Sequence, residues 1–190
     1  MKKELIFELR RKLFHLFSIV YIPLFYLFNK YFGFYHAISV FLLLSILFLL
    51  LEIYRIKLAK ELLFFNILYR EKDKNKIAAH VYFTIGAMFV FLFFPFDIAS
   101  VSLLMTTFGD AFAALIGVRF GRHKIYKEKS LEGSLAEFFV NLLIASIILN
   151  DFYVIFSMAL TATAVEIFLT KIDDNLGIPL LSGFAGFLVA

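Results

Sequence analysis

The sequence predicts an all-α protein, a polytopic membrane bundle of about seven transmembrane helices, with six as the smaller count. Three observations carry this. Of the 190 residues, 62% are hydrophobic, against about 45–50% in soluble domains, more apolar surface than one soluble core of this length can hide. Apolar runs long enough to span a bilayer recur along the chain. Lysine and arginine fall on alternate connections between those runs, as the positive-inside rule requires.

A helix needs about 20 apolar residues to cross a hydrocarbon layer of about 30 Å. The first candidate covers 13–32 and follows a basic opening. A signal peptide also begins this way, but no small-residue cleavage site follows and further spans do. The second, 34–54, holds "FLLLSILFLLL" (41–51), the plainest run in the chain. Next comes 55–77, a charged segment that reads as an amphipathic helix on the inner leaflet followed by a polar turn. The third and fourth spans, 78–94 and 96–118, are joined by the short "FFPFD" (93–97). A cation-rich loop, 119–133, leads to the fifth span at 134–149. "LND" (149–151) then turns into the sixth at 152–169. The last, 176–190, is short, and the smaller count of six comes from it. No internal repeat and no second domain is visible, so 1–190 reads as a single membrane domain.

The charges orient this bundle. Lys2, Lys3, Arg10, Arg11 and Lys12 precede the first span, and seven cations lie between the second and third. Five more follow the fourth, and Lys171 follows the sixth. All 19 lysines and arginines except Lys30 therefore share one side. That side is expected to be cytoplasmic, with the N-terminus there and the C-terminus outside. The 27 phenylalanines are expected mostly to face acyl chains. Cysteine is absent, which excludes disulfides, thiolate zinc sites and a cysteine nucleophile.

Polar residues inside the apolar spans point to chemistry. A charged side chain at mid-bilayer costs at least about 2.5–3.5 kcal/mol, so such residues are rare unless used. Asp110 sits within the fourth span, and helical spacing aligns it with Ala113, Gly117 and Gly121. Small residues at that spacing let a helix or a ligand approach the backbone. A packing seam with a protonated aspartate would account for Asp110 alone. The following "GRHKIYKEKSLEGS" (121–134) adds Arg122, Lys124, Lys127 and Lys129, with Gly121 and Gly133 to bend the chain. A positive-inside loop would account for these cations alone. Neither reading accounts for the two features being adjacent. Ser130 and Ser134 precede the fifth span, where free helix N–H groups bind anions, and Ser134 is a candidate N-cap. Glu132 is either a capping carboxylate or a magnesium ligand. Glu137 and Asn141 continue a polar stripe into the fifth span. Glu166 marks the sixth, and Asp173, Asp174 and Asn175 gather at its cytoplasmic end.

Hard oxygen ligands suit Mg²⁺, which binds through one or two carboxylates plus substrate phosphates. Cations neutralise charge developing on a transferring phosphoryl group, and a carboxylate can accept an alcohol's proton. At a lipid–water boundary this set suits phosphoryl or nucleotidyl transfer onto a lipid. A Walker phosphate loop is absent from the sequence.

"GDAFAALIGVRFGRHK" (109–124) with "KSLEGS" (129–134) resembles the signature of the dolichol kinase, phytol kinase and CTP-dependent diacylglycerol kinase family. That signature is a Gly-Asp in a membrane helix, spaced glycines, a basic residue, then Lys-Ser-x-Glu-Gly-Ser. "RRKLFH" (10–15) and "VEIFLTKIDDNLGIPL" (165–180) are similar to flanking family segments. The resemblance implies a multi-pass enzyme that uses CTP and Mg²⁺, or another divalent cation, to phosphorylate a lipid alcohol at the cytoplasmic face. It implies catalytic roles for Asp110, Lys129, Glu132 and Glu166, and metal binding by Asp110 and Asp174. Gly121, Arg122, Lys124, Ser130, Gly133, Ser134 and Asn175 fall to the nucleotide. His15, His80, Glu137 and Asn141 fall to the lipid-substrate side, where an interhelical hydrogen bond is the plainer reading of His15, His80 and Asn141. Partners are the bilayer, the lipid alcohol and the nucleotide, with no nucleic acid; a homodimer is left open. The nearest alternative is a cytidylyltransferase making a CDP-lipid, and a transporter is the reading from a different class.

Overall fold

The computed structural model describes residues 15–58, 76–127 and 129–190. The opening cations up to Lys12, most of the amphipathic segment and the start of "RRKLFH" lie outside the described residues.

Seven helices are present among the described residues. After a 3₁₀ turn at Phe17–Val20 come α1 (Tyr21–Phe32), α2 (Phe34–Leu58) and α3 (Ala79–Phe93). They are followed by α4 (Phe96–Phe120), α5 (Leu131–Ile148), α6 (Phe152–Phe168) and α7 (Asp174–Val189). Three of them, α2, α4 and α5, are long and apolar enough to cross a membrane. The protein is an all-α integral membrane protein.

Local chemistry sets the boundaries. Gly33 ends α1 with a φ of 88°, which a side chain would strain. Asp151 caps α6, its Oδ1 accepting from the N–H groups of Tyr153 (2.7 Å) and Val154 (3.1 Å). Asp173 caps α7 by accepting from the Asn175 N–H at 3.0 Å. The fifth helix begins at Leu131 rather than near 134, because Ser130 is its N-cap and accepts from the Gly133 N–H at 3.2 Å. Ser134 is buried in the first turn and is not the cap. Likewise α2 continues to Leu58, so Arg55 and Lys57 belong to that helix and not to a separate interfacial segment.

The segment expected to be a plain loop after α4 folds into a hairpin. Its strands are β1 (Lys124–Tyr126) and β2 (Lys129–Ser130), paired antiparallel. Lys127 takes the left-handed position with φ 48°. That position usually goes to Gly, Asn or Asp, so the turn carries no signal in the sequence.

Two buried clusters form the interior. Phe25, Phe41, Phe83, Phe91 and Leu103 join α1 to α4, with Phe25 stacked on Phe91 at 4.1 Å between centroids. Met105, Ala145, Met158, Ala162 and Ile178 join α4 to α7. The outer face is apolar as well. Phe139, Leu143 and Ile147 form an exposed stripe on α5, which is the pattern of a lipid-facing surface. Between α4 and α5 the backbones nearly touch. A Cβ on Gly133 would lie 2.7 Å from the Ala113 carbonyl oxygen and 3.2 Å from Gly117 Cα.

Candidate active site

Strand β2 carries Lys129 against the ends of α6 and α7. Its ammonium donates to Glu166 Oε1 and lies 3.7 Å from Asp174 Oδ2. Glu166 is 4% exposed, and its second oxygen is buried without a hydrogen-bond partner. Asp110, half-buried in α4, is within electrostatic reach of Lys129, Glu137, Glu166 and Asp174. Glu137 is 1% exposed with neither carboxylate oxygen partnered. Four carboxylates from four helices thus surround one lysine from the hairpin. Burial pulls the Lys129 pKa down, but Glu166, Asp174 and Asp110 outweigh it and hold the pKa above the ordinary lysine value. Lys129 is therefore a fixed cation at neutral pH.

The rest of the hairpin is fastened over the same ends. Lys127 Nζ donates to Thr170 Oγ1 at 3.0 Å, and the Tyr126 ring lies 6.1 Å from that of Phe168. At the hairpin's base, Glu132 Oε1 lies 2.7 Å from His123 Nδ1, and the Leu131 N–H donates to the His123 carbonyl. Glu132 thus faces the hairpin base. Ser130 Oγ sits beside Gly117, Gly121 and Gly133, in the seam between α4 and α5. Arg122 and Lys124 are exposed on the hairpin. Asn175 donates through Nδ2 to Asp173 Oδ1 at 2.7 Å, inside the α7 cap.

The residues expected on the lipid side divide into two pairs. Glu137 and Asn141 lie in the buried polar interior with the carboxylates. His15 packs edge-on to Phe83, and His80 edge-on to Phe48, each at 5.3 Å. The His15 end nevertheless abuts the Asp110 segment, because Ser18 Oγ lies 3.3 Å from Thr107 Oγ1.

Three features carry no role in the sequence analysis. A π-helical turn, Met105–Gly109, interrupts α4 immediately before Asp110. Thr163 of α6 is buried with an unpartnered hydroxyl. Glu52, 3% exposed, accepts from Arg55 Nη2 at 2.6 Å and from the Ala78 N–H at 3.0 Å. Arg55 in turn donates to the Lys76 carbonyl at 2.8 Å, so this clasp ties α2 to the start of α3. Its one visible signal was a carboxylate ending the most apolar run in the chain.

Among the described residues, no three acidic or histidine side chains converge tightly enough to hold a metal unaided. The charged cluster instead sets four carboxylates against one ammonium, an excess of negative charge that favours a further cation there.

No family model and no solved structure matches the chain. An uncharacterized protein of Rickettsia prowazekii is 32% identical over 190 residues, 92% of this chain and 90% of that protein. The CTP-dependent diacylglycerol kinase 1 of Saccharomyces cerevisiae is 30% identical over 146 residues, 72% of this chain and 48% of the yeast protein. A wheat (Triticum aestivum) protein described as a probable chloroplastic phytol kinase is 33% identical over 138 residues, 62% of this chain and 46% of its own length. The chain therefore spans about half the length of the two kinases. On this similarity, the chain belongs to the lipid-kinase family of CTP-dependent diacylglycerol kinase and phytol kinase.

Proposed function

We propose that the chain transfers the terminal phosphoryl group of CTP to the hydroxyl of a lipid alcohol at the cytoplasmic end of the bundle. Family membership makes it a phosphotransferase with an alcohol acceptor. CTP as the donor and diacylglycerol or a phytol-like or polyprenol alcohol as the acceptor are the finer proposal. The observation that carries it is Lys129, held among Asp110, Glu166 and Asp174 where apolar helices meet a cationic hairpin.

The chemistry follows from these groups. The alcohol oxygen forms a bond to the terminal phosphorus as the bridging P–O bond breaks, CDP leaves, and the hydroxyl proton passes to a carboxylate. Transfer of this kind is catalysed mostly by positioning and by cations that match the developing charge. Lys129 supplies one such cation, and Lys124 and Arg122 lie on the same hairpin for the outer phosphates. The donor set fits Mg²⁺, because that ion needs only one or two protein carboxylates beside substrate phosphates. Asp110 and Asp174 would hold it, and when bound it would supply charge neutralisation at the phosphates.

The test is product identity. Purified protein is incubated with Mg²⁺ and either CTP or ATP, against diacylglycerol, phytol, geranylgeraniol, polyprenols and, separately, phosphatidic acid, and both products are identified by mass. The proposal expects a phosphorylated alcohol and CDP in equal amounts. A CDP-lipid with pyrophosphate, formed from a phospholipid acid, would overturn it in favour of cytidylyl transfer.

A further inference from the structure

We infer that Asn141 is a positioning residue, whose carboxamide braces the π turn of α4 and so aims Asp110 into the charged cluster. The inference rests on the phosphotransfer reading for Asp110, but it starts from backbone geometry. One extra residue in a helical turn rotates everything after it by about 100°. The turn Met105–Gly109 ends directly before Asp110, so it decides which way that carboxylate points. An uninterrupted α4 would present Asp110 to a different neighbour.

Such a turn departs from the regular hydrogen-bond ladder and needs support. One side has it. Thr106 Oγ1 donates to the Ser102 carbonyl at 2.8 Å, Thr107 Oγ1 donates to the Leu103 carbonyl at 2.9 Å, and Ser18 meets Thr107. Asn141, on α5, stands on another. Its side chain is fully buried, and neither Oδ1 nor Nδ2 has a hydrogen-bond partner. It presses on Gly109 so closely that a Cβ there would lie 2.5 Å from Oδ1 and 3.1 Å from Nδ2. A buried carboxamide left unpaired is costly, and leucine of similar size would fill the same space without that cost. An amide lodged against an irregular turn, one helical turn below Glu137, is therefore placed for polarity rather than bulk. The glycine at 109 is what admits it.

The test compares wild type with Asn141→Leu and with Gly109→Ala, which crowds Asn141 out. Hydrogen–deuterium exchange is read over 105–110, and kcat and KM are measured for nucleotide and lipid. The inference expects faster exchange confined to that turn and a kcat lower by up to about 100-fold, the scale of an ångström's misplacement, with both KM values unchanged. Should Asn141→Leu not fold, Asn141→Ser carries the same comparison. Unchanged exchange over 105–110 would overturn the inference. So would a defect confined to the lipid KM, which would make Asn141 a substrate contact. If wild type phosphorylates no alcohol, the functional reading fails, while the exchange experiment still decides whether Asn141 braces the turn.

Discussion

Lys129 shows how a single side chain can be both structural and chemical. Its ammonium neutralises Glu166, which has almost no access to solvent. Removing one partner of a buried ion pair leaves a charge stranded, at a cost of about 3–5 kcal/mol for a fully buried pair. Lys129 keeps about a third of its side chain exposed, so the loss here falls below that range. Lys129→Met is expected to abolish transfer and lower Tm. Adding Glu166→Gln is expected to restore part of the Tm but none of the activity, because an amide needs no counter-ion. A Tm that falls further in the double variant would show that Glu166 is stabilised by something other than Lys129. At this scale the sequence was informative where charge stood out against grease. Asp110, Glu137 and Glu166 were visible that way, while Lys129, one cation among several in its loop, stood out through the Lys-Ser-x-Glu-Gly-Ser resemblance, and the four do converge. Caps were harder to read, since Ser130 and Ser134 carry the same signal and only the close seam with Gly117 selects the first.

Element boundaries obey the same limits. The seven helices were legible as apolar runs, which lipid leaves little choice but to fold as helix, although among the described residues only α2, α4 and α5 are long and apolar enough to cross a membrane. The hairpin was not, because its turn places a lysine where a glycine would normally advertise it. The π turn was hidden for a related reason: "MTTFG" (105–109) reads as ordinary helix, and the contacts on the extra residue come from the 3₁₀ turn before α1 and from α5, which no local pattern encodes. The elements also make a topological prediction. Helix α5, 18 residues long, separates the hairpin from the loop holding Asn150 by about 27 Å. In this cysteine-free chain, Lys127→Cys is expected to react with an impermeant thiol probe only from the cytoplasmic side, and Asn150→Cys only from the other. Labelling of both from one side would refute the positive-inside assignment.

Across the whole molecule, the arrangement is a division of labour between two halves. Helices α1 to α3 form an aromatic-rich unit, with the Glu52–Arg55 clasp tying α2 to the start of α3. Helices α4 to α7, with the hairpin, contribute every member of the charged cluster. Convergence of residues 110, 129, 137, 166 and 174 depends on close packing at Gly133 and on the hairpin folding back over α6 and α7. Composition could place these residues near one membrane face but could not bring them to one point. The central claim is that this point performs the transfer, and Asp110→Asn tests it most directly. The substitution keeps shape and removes only charge. In protein shown by size-exclusion and circular dichroism to be folded, turnover of lipid alcohol with CTP should be lost while the helical signal is retained. Wild-type turnover in the Asp110→Asn protein would contradict the account.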